Sequence, residues 1–436
     1  MTGFNRRGAC PSLAEPMQTG DGLLVRMVLD ELDIAPAKLV AVVGAAARHG
    51  NGIVEITRRG NLQIRGLTPE SAKQLATDIA ALDLSAGGLP ITMGALAGLD
   101  RAEIVDPRPL AETIRRKLDP DLRDRLAPKI SLAIDGGGRL PLDTIAADIR
   151  LSAVADGKMP CWHVAVGGNA ASAVSLGLVS ADDAPALAIE LLRRIAAKGS
   201  SARARDLDAN DLSDLDMAAA NAPAALRRLS PVGRFSLNDG GIAVGIALSF
   251  GATRAETLLQ LLEQAIAEGA TSVRLAPGRA ILFIGTDGSG AGGIESASDT
   301  LGFVTRAGDP RLAISACAGA PACAAGLLDT RSLAARLATA APSLLDGSFT
   351  LHVSGCVKRC ADMPGPRLTV MGRAGNCQLL DETVRGSQPI AAMDQAELTV
   401  LFSRLEARYG THRGKSAREF LLHVPLADTA IETMES

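Results

Sequence analysis

The pattern of hydrophobic and polar positions is the same in two distant stretches of the chain. GLLVRMVLD (22–30) recurs in pattern as GIAVGIALS (241–249), and both are short apolar runs of the kind that form strands. GIVEITRRGNLQIRG (52–66) recurs as TSVRLAPGRAILFIG (271–285). Both matches share one offset of 219 residues without a gap. We interpret this shared offset as the trace of a duplicated unit.

Each copy carries an Ala- and Leu-rich segment with helical spacing between its matched strands. These segments are PAKLVAVVGAAARHG (36–50) and ETLLQLLEQAIAEGA (256–270). Each unit is therefore predicted to fold as β-α-β, and the first copy continues with a further helix, PESAKQLATDIAAL (69–82). Two copies are too few for a solenoid, so we expect them to pair into one central domain.

Polar and glycine-rich stretches separate these units from two larger mixed α/β segments. The predicted linkers include SAGGLP (85–90), KGSSARARDLDANDLSDLD (198–216) and TDGSGAGG (286–293). The fold class is therefore predicted as α+β, with two small units and two larger α/β domains. The predicted boundaries are 17–84 for the first small unit, 91–197 for the first large domain, 198–230 for a linker, 231–286 for the second small unit and 294–436 for the second large domain.

Composition narrows the functional classes. The 436 residues carry a net charge of −3, and aromatic residues make up only 2%, which argues against a general binder of nucleic acid. No secretory signal and no apolar run long enough to span a bilayer are visible. We therefore expect a cytoplasmic protein whose seven cysteines are reduced thiols or metal ligands.

Four cysteines form two pairs in glycine-rich segments of the C-terminal part. Cys317 and Cys323 are spaced C-x5-C in SACAGAPACAAG, and Cys356 and Cys360 are spaced C-x3-C in HVSGCVKRCADMPG. A [4Fe–4S] cluster needs four thiolates from short loops, and glycine-rich backbone can point amide groups at sulfur. The sequence therefore predicts an iron–sulfur cluster held by these four cysteines.

Two simpler interpretations of these cysteines stay open. Structural zinc sites also use four cysteines, although a five-residue gap within a pair is atypical. Buried cysteines can also be small apolar fillers of a core. The isolated Cys10, Cys161 and Cys377 are interpreted as structural.

These motifs together resemble the sulfite and nitrite reductase superfamily over nearly the whole chain. C-x5-C followed by C-x3-C is similar to its cluster signature, whose last cysteine, here Cys360, also bridges to sirohaem iron. The duplicated β-α-β unit resembles the superfamily's ferredoxin-like half-domain. TRRGNLQ (57–63) and LAPKISLAIDGG (126–137) are similar to two further segments, and the resemblance places Arg59 on the tetrapyrrole side and Lys129 at a motif lysine.

Two departures separate this chain from the reductases of small anions. The position of their second lysine is Ser131, and no arginine stands before PITMGALAGLD (90–100). Reduction of a small oxyanion needs a dense cationic pocket, so both losses matter. GALAGLD (94–100), AADIRL (146–151) and the SGCVKRCA loop instead resemble the precorrin-3B synthase branch.

That resemblance implies an enzyme of aerobic cobalamin biosynthesis, an iron–sulfur monooxygenase whose substrate is the tetrapyrrole precorrin-3A. It implies hydroxylation of a ring carbon and closure of a γ-lactone, with a [4Fe–4S] cluster, dioxygen, NADH-derived electrons and a mononuclear non-haem iron. No Gly-x-Gly-x-x-Gly segment follows a predicted strand, so a partner reductase is expected to use the NADH. The ligands of the second iron are not predicted.

A precorrin is fringed with carboxylates, so its pocket needs several converging cations. Arg59 and Lys129 are the first candidates, and Arg274 and Arg279, in the second copy, are weaker ones. The other candidates in or beside the motifs are Arg58, Arg65, Arg150, Lys358 and Arg359.

Two alternative functions remain at this stage. One is a sirohaem-dependent sulfite or nitrite reductase on the same scaffold, and the other is a non-catalytic iron–sulfur or zinc-binding subunit.

Overall fold

The computed structural model describes residues 11–84, 88–156, 159–215, 217–218, 229–383, 387–412 and 414–434. Cys10 lies outside these residues. The chain divides into two compact units. The first comprises Met1–Met17, Leu24–Ala247 and Arg254–Leu301, and the second comprises Gln18–Leu23, Leu248–Thr253 and Gly302–Ser436. None of the helices in the described residues is both long and apolar enough to cross a membrane.

The first repeat copy folds as the strand–helix–strand pattern predicts, with a closing helix. Strand β4 lies between β2 and β3, and Val54 on β3 faces Ile64 on β4. Thr68 caps the closing helix by accepting a hydrogen bond from Ser71 N. The elements are β1 (Met17–Thr19), β2 (Gly22–Met27), α1 (Pro36–His49), β3 (Ile53–Ile56), β4 (Leu62–Leu67) and α2 (Pro69–Ala80).

The first large domain is built on a five-stranded sheet in the order β5-β6-β7-β8-β9. β5, β6 and β7 run parallel, and β7, β8 and β9 run antiparallel. Trp162, Leu192 and Ile195 are buried in its core. The elements are β5 (Ile91–Met93), α3 (Arg108–Lys117), α4 (Pro120–Arg125), β6 (Leu132–Asp135), β7 (Ala147–Asp156), β8 (Met159–Gly168), β9 (Val174–Ser180), α5 (Ala184–Ala197) and α6 (Ala209–Leu212).

The segment predicted as a polar linker begins with ordered structure that packs on this core. Ala202 and Ala204 are buried among the core residues. Between them, Arg203 makes a two-pronged ion pair with the buried Asp148, at 2.8 and 2.7 Å. Polar residues of this segment thus include an ion-pair partner, Arg203, and a helix cap, Asp208. Residues 216 and 219–228 of the predicted linker lie outside the described part of the chain.

The second repeat copy has the same strand order as the first, with β14 between β11 and β13. Val273 on β13 faces Phe283 on β14, which matches the first copy at the same offset. Helices α1 and α7 pack on each other, so the two copies pair as predicted. The elements are β10 (Gly233–Ser236), β11 (Ile242–Ala247), β12 (Ala252–Arg254), α7 (Ala255–Ala267), β13 (Ser272–Ala276), β14 (Ala280–Thr286) and α8 (Gly288–Thr300).

The glycine-rich stretch predicted as a linker after the second copy forms helix α8 instead. Asp287 caps the helix by accepting a hydrogen bond from Gly290 N at 2.8 Å. A Cβ at Gly290 would lie only 2.2 Å from the Glu268 carbonyl oxygen, so glycine is needed for close packing on the end of α7. Helix α8 stands at the repeat offset from α2, and the duplication is therefore longer than predicted.

The second compact unit, which contains the second large domain, is built mainly on a sheet in the order β15-β16-β17-β18-β19. β15, β16 and β17 run parallel, and β17, β18 and β19 run antiparallel. The predicted α+β fold class is confirmed. The elements are β15 (Ile314–Ala316), α9 (Thr330–Ala340), β16 (Thr350–Ser354), β17 (Arg367–Arg373), β18 (Asn376–Glu382), β19 (Gln388–Met393), α10 (Gln395–Tyr409), α11 (Ala417–Leu421) and α12 (Leu426–Met434).

Candidate functional site

The two cysteine-bearing loops follow the neighbouring strands β15 and β16. These strands are parallel, with Ala316 opposite Val353. Because parallel strands end at the same edge of a sheet, the loops that follow them lie side by side. Cys317 N donates to Val353 O at 3.1 Å, and Gly355 N donates to Cys317 Sγ at 3.2 Å. The fold therefore brings together the two segments that carry the predicted ligands.

Glycines let these loops approach each other closely. A Cβ at Gly355 would lie 3.2 Å from the Gly319 Cα and 3.3 Å from the Gly326 Cα. Gly319 also has a φ of +63°, and its Cβ would lie 2.6 Å from the Leu328 carbonyl oxygen. Larger residues at these positions would separate the loops.

The four predicted ligand thiols lie near enough to influence one another electrostatically. Partial desolvation of its thiol raises the pKa of Cys360, and the neighbouring Cys317, Cys356 and Cys323 raise it further. Cys360 is exposed, and the other three are partly buried. Among the described residues, no group of three or more His, Cys, Asp or Glu side chains is arranged to hold a single metal ion. The thiols are neighbours without forming a one-ion site, and the four-cysteine cluster stays a prediction.

A group of charged side chains anchors the C-x3-C loop to strands β17 and β18. Arg359, between the two cysteines, donates to both carboxylate oxygens of Glu382, at 2.9 and 2.6 Å. Glu382 also accepts from Thr369 Oγ1 at 2.6 Å and from Arg367 Nε at 3.0 Å. Burial favours the neutral acid, but the hydrogen bonds from Arg359 and Thr369 and the Arg367 charge lower the pKa of Glu382 to about 2. Arg359 is thus engaged within the protein.

Lys358 and the remaining cysteines differ in their surroundings. Lys358 is exposed, and its charge acts to lower the pKa of Cys360. Cys161 lies on β8 and the buried Cys377 lies on β18. Neither belongs to the two cysteine-bearing loops.

A cleft of about 310 Å³ in the first unit contains both first-ranked substrate-binding candidates, Arg59 and Lys129. Ser131, at the position of the missing second lysine, also lines it. The charged residues around the cleft are mostly cations, as a pocket for carboxylates requires. The cations are Arg26, Arg59, Arg115, Lys129 and Arg203, and the two acidic residues are Asp30 and Glu31.

The fold holds the Arg59 loop in place and leaves Lys129 exposed. Arg59 Nη2 donates to the Ala146 carbonyl oxygen at 2.6 Å. The φ of Gly60 is +81°, and a Cβ there would lie 2.8 Å from Leu275 O of the second copy, so the loop packs tightly between the copies. Lys129 makes no hydrogen bond or ion pair with the described part of the chain. Its ammonium group is therefore available to a ligand.

Asp30 and Arg115 form a half-buried pair in the cleft. Arg115 Nε lies 4.0 Å from Asp30 Oδ1, and neither atom has a hydrogen-bond partner in the described residues. Burial raises the pKa of Asp30, with the Arg115 charge opposing it, and burial lowers the pKa of Arg115. The charged forms are therefore less well solvated here than at an open surface.

Three cleft cations were not predicted from the sequence. Arg26 donates to Gln63 Oε1 at 2.8 Å, so it joins the motif glutamine of TRRGNLQ. Arg115 lies on helix α3, where a basic residue normally indicates a solvated face. Arg203 lies in the segment predicted as a linker. Of these three, only Arg26 could have been found from the sequence, because it lies on β2, the neighbour of the strand β4 that carries the motif glutamine.

The sequence of a known protein decides the family. A protein named precorrin-3B synthase, from a Sinorhizobium species, is 39% identical over 428 residues, which are 97% of this chain and 93% of the relative. The chain belongs to the precorrin-3B synthase family. The resemblance drawn from the cysteine pairs, the repeat and the basic motifs is confirmed at this level.

The fold of this precorrin-3B synthase family member agrees with the superfamily resemblance. The family model described as the nitrite/sulfite reductase ferredoxin-like half domain matches residues 15–82, which is the first repeat copy. The structure of the NirA protein of Mycobacterium tuberculosis has a TM-score of 0.75 and 18% identity, over 93% of this chain and 84% of that one. At this identity the likeness shows the fold, and the predicted reductase-type architecture is confirmed.

Among the basic residues that this synthase family member carries beside its motifs, several have internal roles. Arg150 is only 3% exposed and donates to the carbonyl oxygens of Ile145 and Leu142, so its prediction as a substrate ligand gains no support. Arg274 is fully buried and pairs with Asp33 at 2.7 Å. The candidates predicted from the sequence that do not line the cleft are Arg58, Arg65, Arg150, Arg274, Arg279, Lys358 and Arg359.

Proposed function

We propose that this protein is a precorrin-3B synthase, which hydroxylates precorrin-3A and closes a γ-lactone with dioxygen as oxidant. The 39% identity over nearly the full length of a protein with that name supports the proposal. The observation that carries it in the structure is the cleft, where Arg59 and Lys129 meet three further cations. A macrocycle fringed with carboxylates is the kind of substrate that this charge pattern favours.

The cysteine-bearing loops suit a [4Fe–4S] cluster. Cys317, Cys323, Cys356 and Cys360 come from two short loops whose glycines allow close approach, and Gly355 N already donates to one sulfur. The cluster supplies single electrons when it is bound. The C-x5-C spacing of Cys317 and Cys323 is atypical of structural zinc modules, which favours an iron–sulfur cluster over zinc.

The residues of the cleft would bind and orient the substrate. Lys129 and the Arg59 loop would each pair with a carboxylate at the edge of the macrocycle, and charge-assisted pairs of this kind fix orientation as well as affinity. Asp30 is the cleft carboxyl whose burial raises its pKa, so it is the candidate to hold or move a proton there. Positioning and proton transfer are the steps that these residues can perform.

Two further groups that the resemblance implies are NADH, as the source of electrons, and a mononuclear iron. NADH-derived electrons would arrive through a partner reductase, because the sequence carries no dinucleotide-binding fingerprint. Among the described residues, no group of His, Cys, Asp or Glu side chains fits a mononuclear non-haem iron.

The structure favours the synthase over reduction of sulfite or nitrite. Ser131 is buried, and its backbone N donates to Asp148 at 2.9 Å. This position therefore adds no cation to the cleft. A small anion would lack the dense positive charge that its reduction needs.

The test is conversion of precorrin-3A by the anaerobically purified protein with a reductant and isotopically heavy dioxygen. Mass spectrometry should show a lactone product carrying one labelled oxygen atom. No conversion together with reduction of sulfite or nitrite would support the alternative and overturn the proposal.

Substitution of Lys129 tests the cleft in the same assay. Lys129→Ala should raise KM roughly tenfold or more with little change in kcat, because a charged hydrogen bond contributes about 1.5–3 kcal/mol and this contact holds the substrate throughout. Lys117→Ala is the matched control, since Lys117 is an exposed lysine of the same domain outside the cleft. Equal KM values in the Lys129→Ala and Lys117→Ala variants would show that Lys129 does not bind the substrate.

A further inference from the structure

Arg359 occupies the middle of the loop that carries the second cysteine pair, and its backbone is unusual. Its φ is +50°, in the left-handed region that residues with a Cβ seldom adopt. Such a conformation is retained when surrounding contacts stabilise it. Cys356 lies three residues before it and Cys360 one residue after it, so this backbone conformation affects the placement of both thiols.

Arg359 is held by the carboxylate of Glu382, at the end of β18, and by that of Asp362 in its own loop, which lies 3.2 Å from Arg359 Nη2. The Glu382 carboxylate accepts hydrogen bonds from both terminal nitrogens of Arg359, and only 6% of the Glu382 side chain is exposed. Two-pronged pairs of this kind fix the direction of an arginine as well as its distance. Glu382 reaches the loop only through Arg359 in the contacts that the structure shows.

The carboxylate itself is held rigidly by its own strands. Thr369 Oγ1 on β17 donates to it at 2.6 Å, and Arg367 Nε donates to it at 3.0 Å. Arg367 and Glu382 are also opposed across the β17–β18 ladder. Arg367 further contacts Asp362, two residues beyond Cys360, at 3.0 Å. The sheet therefore anchors both the middle and the end of the loop.

We propose that Glu382 is a positioning residue for the iron–sulfur site. Its pair with Arg359 fixes the loop so that Cys356 and Cys360 point at the same cluster. This inference rests on the proposed four-cysteine cluster, and it adds a residue distant in sequence from all four ligands. Outer contacts that orient metal ligands commonly change metal retention by about 10–100-fold when they are removed.

The experiment compares cluster lifetime in Glu382→Gln and Arg359→Gln with that in the wild-type protein. Each protein is reconstituted anaerobically with iron and sulfide, and loss of the cluster absorption is followed after a chelator is added. Both variants should lose the cluster roughly tenfold faster or more. The double variant should be no faster than the single ones, because the two residues act as one pair.

Glu406→Gln is the matched control. Glu406 is a carboxylate of the same unit that accepts hydrogen bonds from Ser343 N and Leu344 N, far from the cysteines in sequence. Its cluster lifetime should match that of the wild type. The electron paramagnetic resonance spectrum of the reduced cluster should change in Glu382→Gln and Arg359→Gln only, which a general loss of stability would not produce.

The outcomes separate this inference from the function on which it rests. A wild-type protein that binds no iron would overturn the proposed cluster, and the inference with it. A normal wild-type cluster that persists unchanged in folded Glu382→Gln and Arg359→Gln would overturn the inference alone. Equal acceleration in Glu406→Gln would do the same. If Glu382→Gln fails to fold, the cluster lifetime in Arg359→Gln alone tests the inference, and an unchanged lifetime there overturns it.

Discussion

His352 lies on β16 with its imidazole fully buried, and neither ring nitrogen has a hydrogen-bond partner in the described residues. Its Nδ1 lies 3.8 Å from Asp362. Burial lowers the pKa of His352 to about 4, and the charges of Arg359 and Arg367 act in the same direction, while Asp362 and Glu382 oppose them. The ring is therefore neutral in the folded protein at neutral pH.

This burial predicts a loss of stability in mild acid. In the unfolded chain the histidine pKa is about 6.5, so between pH 6.5 and pH 4 the unfolded state binds a proton that the folded state does not. Stability consequently falls as the pH falls through this range. The contribution of His352 should be about 2 kcal/mol between pH 7 and pH 5, measured by urea unfolding.

His352→Leu should remove this part of the pH dependence, whereas His423→Gln should keep it. His423 is exposed, so its replacement controls for loss of a histidine as such. The same acid sensitivity in wild type and His352→Leu would show that His352 does not contribute it.

Individual residues of the site were predictable only where a local motif carried them. Arg59 and Lys129 stood in recognisable segments, and both line the cleft. Arg150 also stood beside a motif, but its burial and its bonds to carbonyl oxygens come from strand packing. Arg203 pairs with Asp148 from a distant part of the sequence, and such pairing leaves no local pattern.

At the scale of elements, the repeat offset correctly predicted the strands and helices of both copies. The glycine-rich composition of residues 286–293 wrongly predicted a linker where α8 begins. Its six residues GSGAGG begin a helix because Asp287 caps it and glycines allow contact with α7. Three of its glycines have different surroundings. Gly290 and Gly293 approach Glu268 closely, whereas a Cβ at Gly292 would find its nearest atom, Arg234 Nη2, at 3.6 Å.

This difference predicts opposite effects of two alanine substitutions. Gly290→Ala should destabilise the protein by about 1–3 kcal/mol, because its methyl group would collide with a backbone oxygen that cannot easily move. Gly292→Ala should stabilise it by up to about 1 kcal/mol through the better helix propensity of alanine. Chemical denaturation measures both. Stabilisation by both changes would contradict the close packing of α7 and α8.

At the scale of the whole molecule, the two larger sheets share a topology that the sequence did not show. Both larger sheets have three parallel strands followed by two antiparallel ones, β5 to β9 in one and β15 to β19 in the other. The small units kept an ungapped offset because their strands and helices have no insertions between them. The larger domains differ in loops and lengths, so their shared topology is visible only in the structure.

The same scale explains why the cysteine pairs could be predicted as one site. Each pair follows a strand, and Cys317 and Cys356 begin loops at one edge because β15 and β16 are parallel neighbours. The glycines beside the cysteines could be read from the sequence as a sign of close loop approach, which requires residues without a side chain.

The most direct test of this account is the iron and acid-labile sulfide content of the anaerobically purified protein and of single Cys→Ser variants. We predict about four iron and four sulfide per wild-type chain. Replacement of Cys317, Cys323, Cys356 or Cys360 should abolish or strongly reduce this content. Cys161→Ser and Cys377→Ser should keep it. A wild-type chain with zinc or no metal, or full iron content after loss of any of the four, would contradict the account.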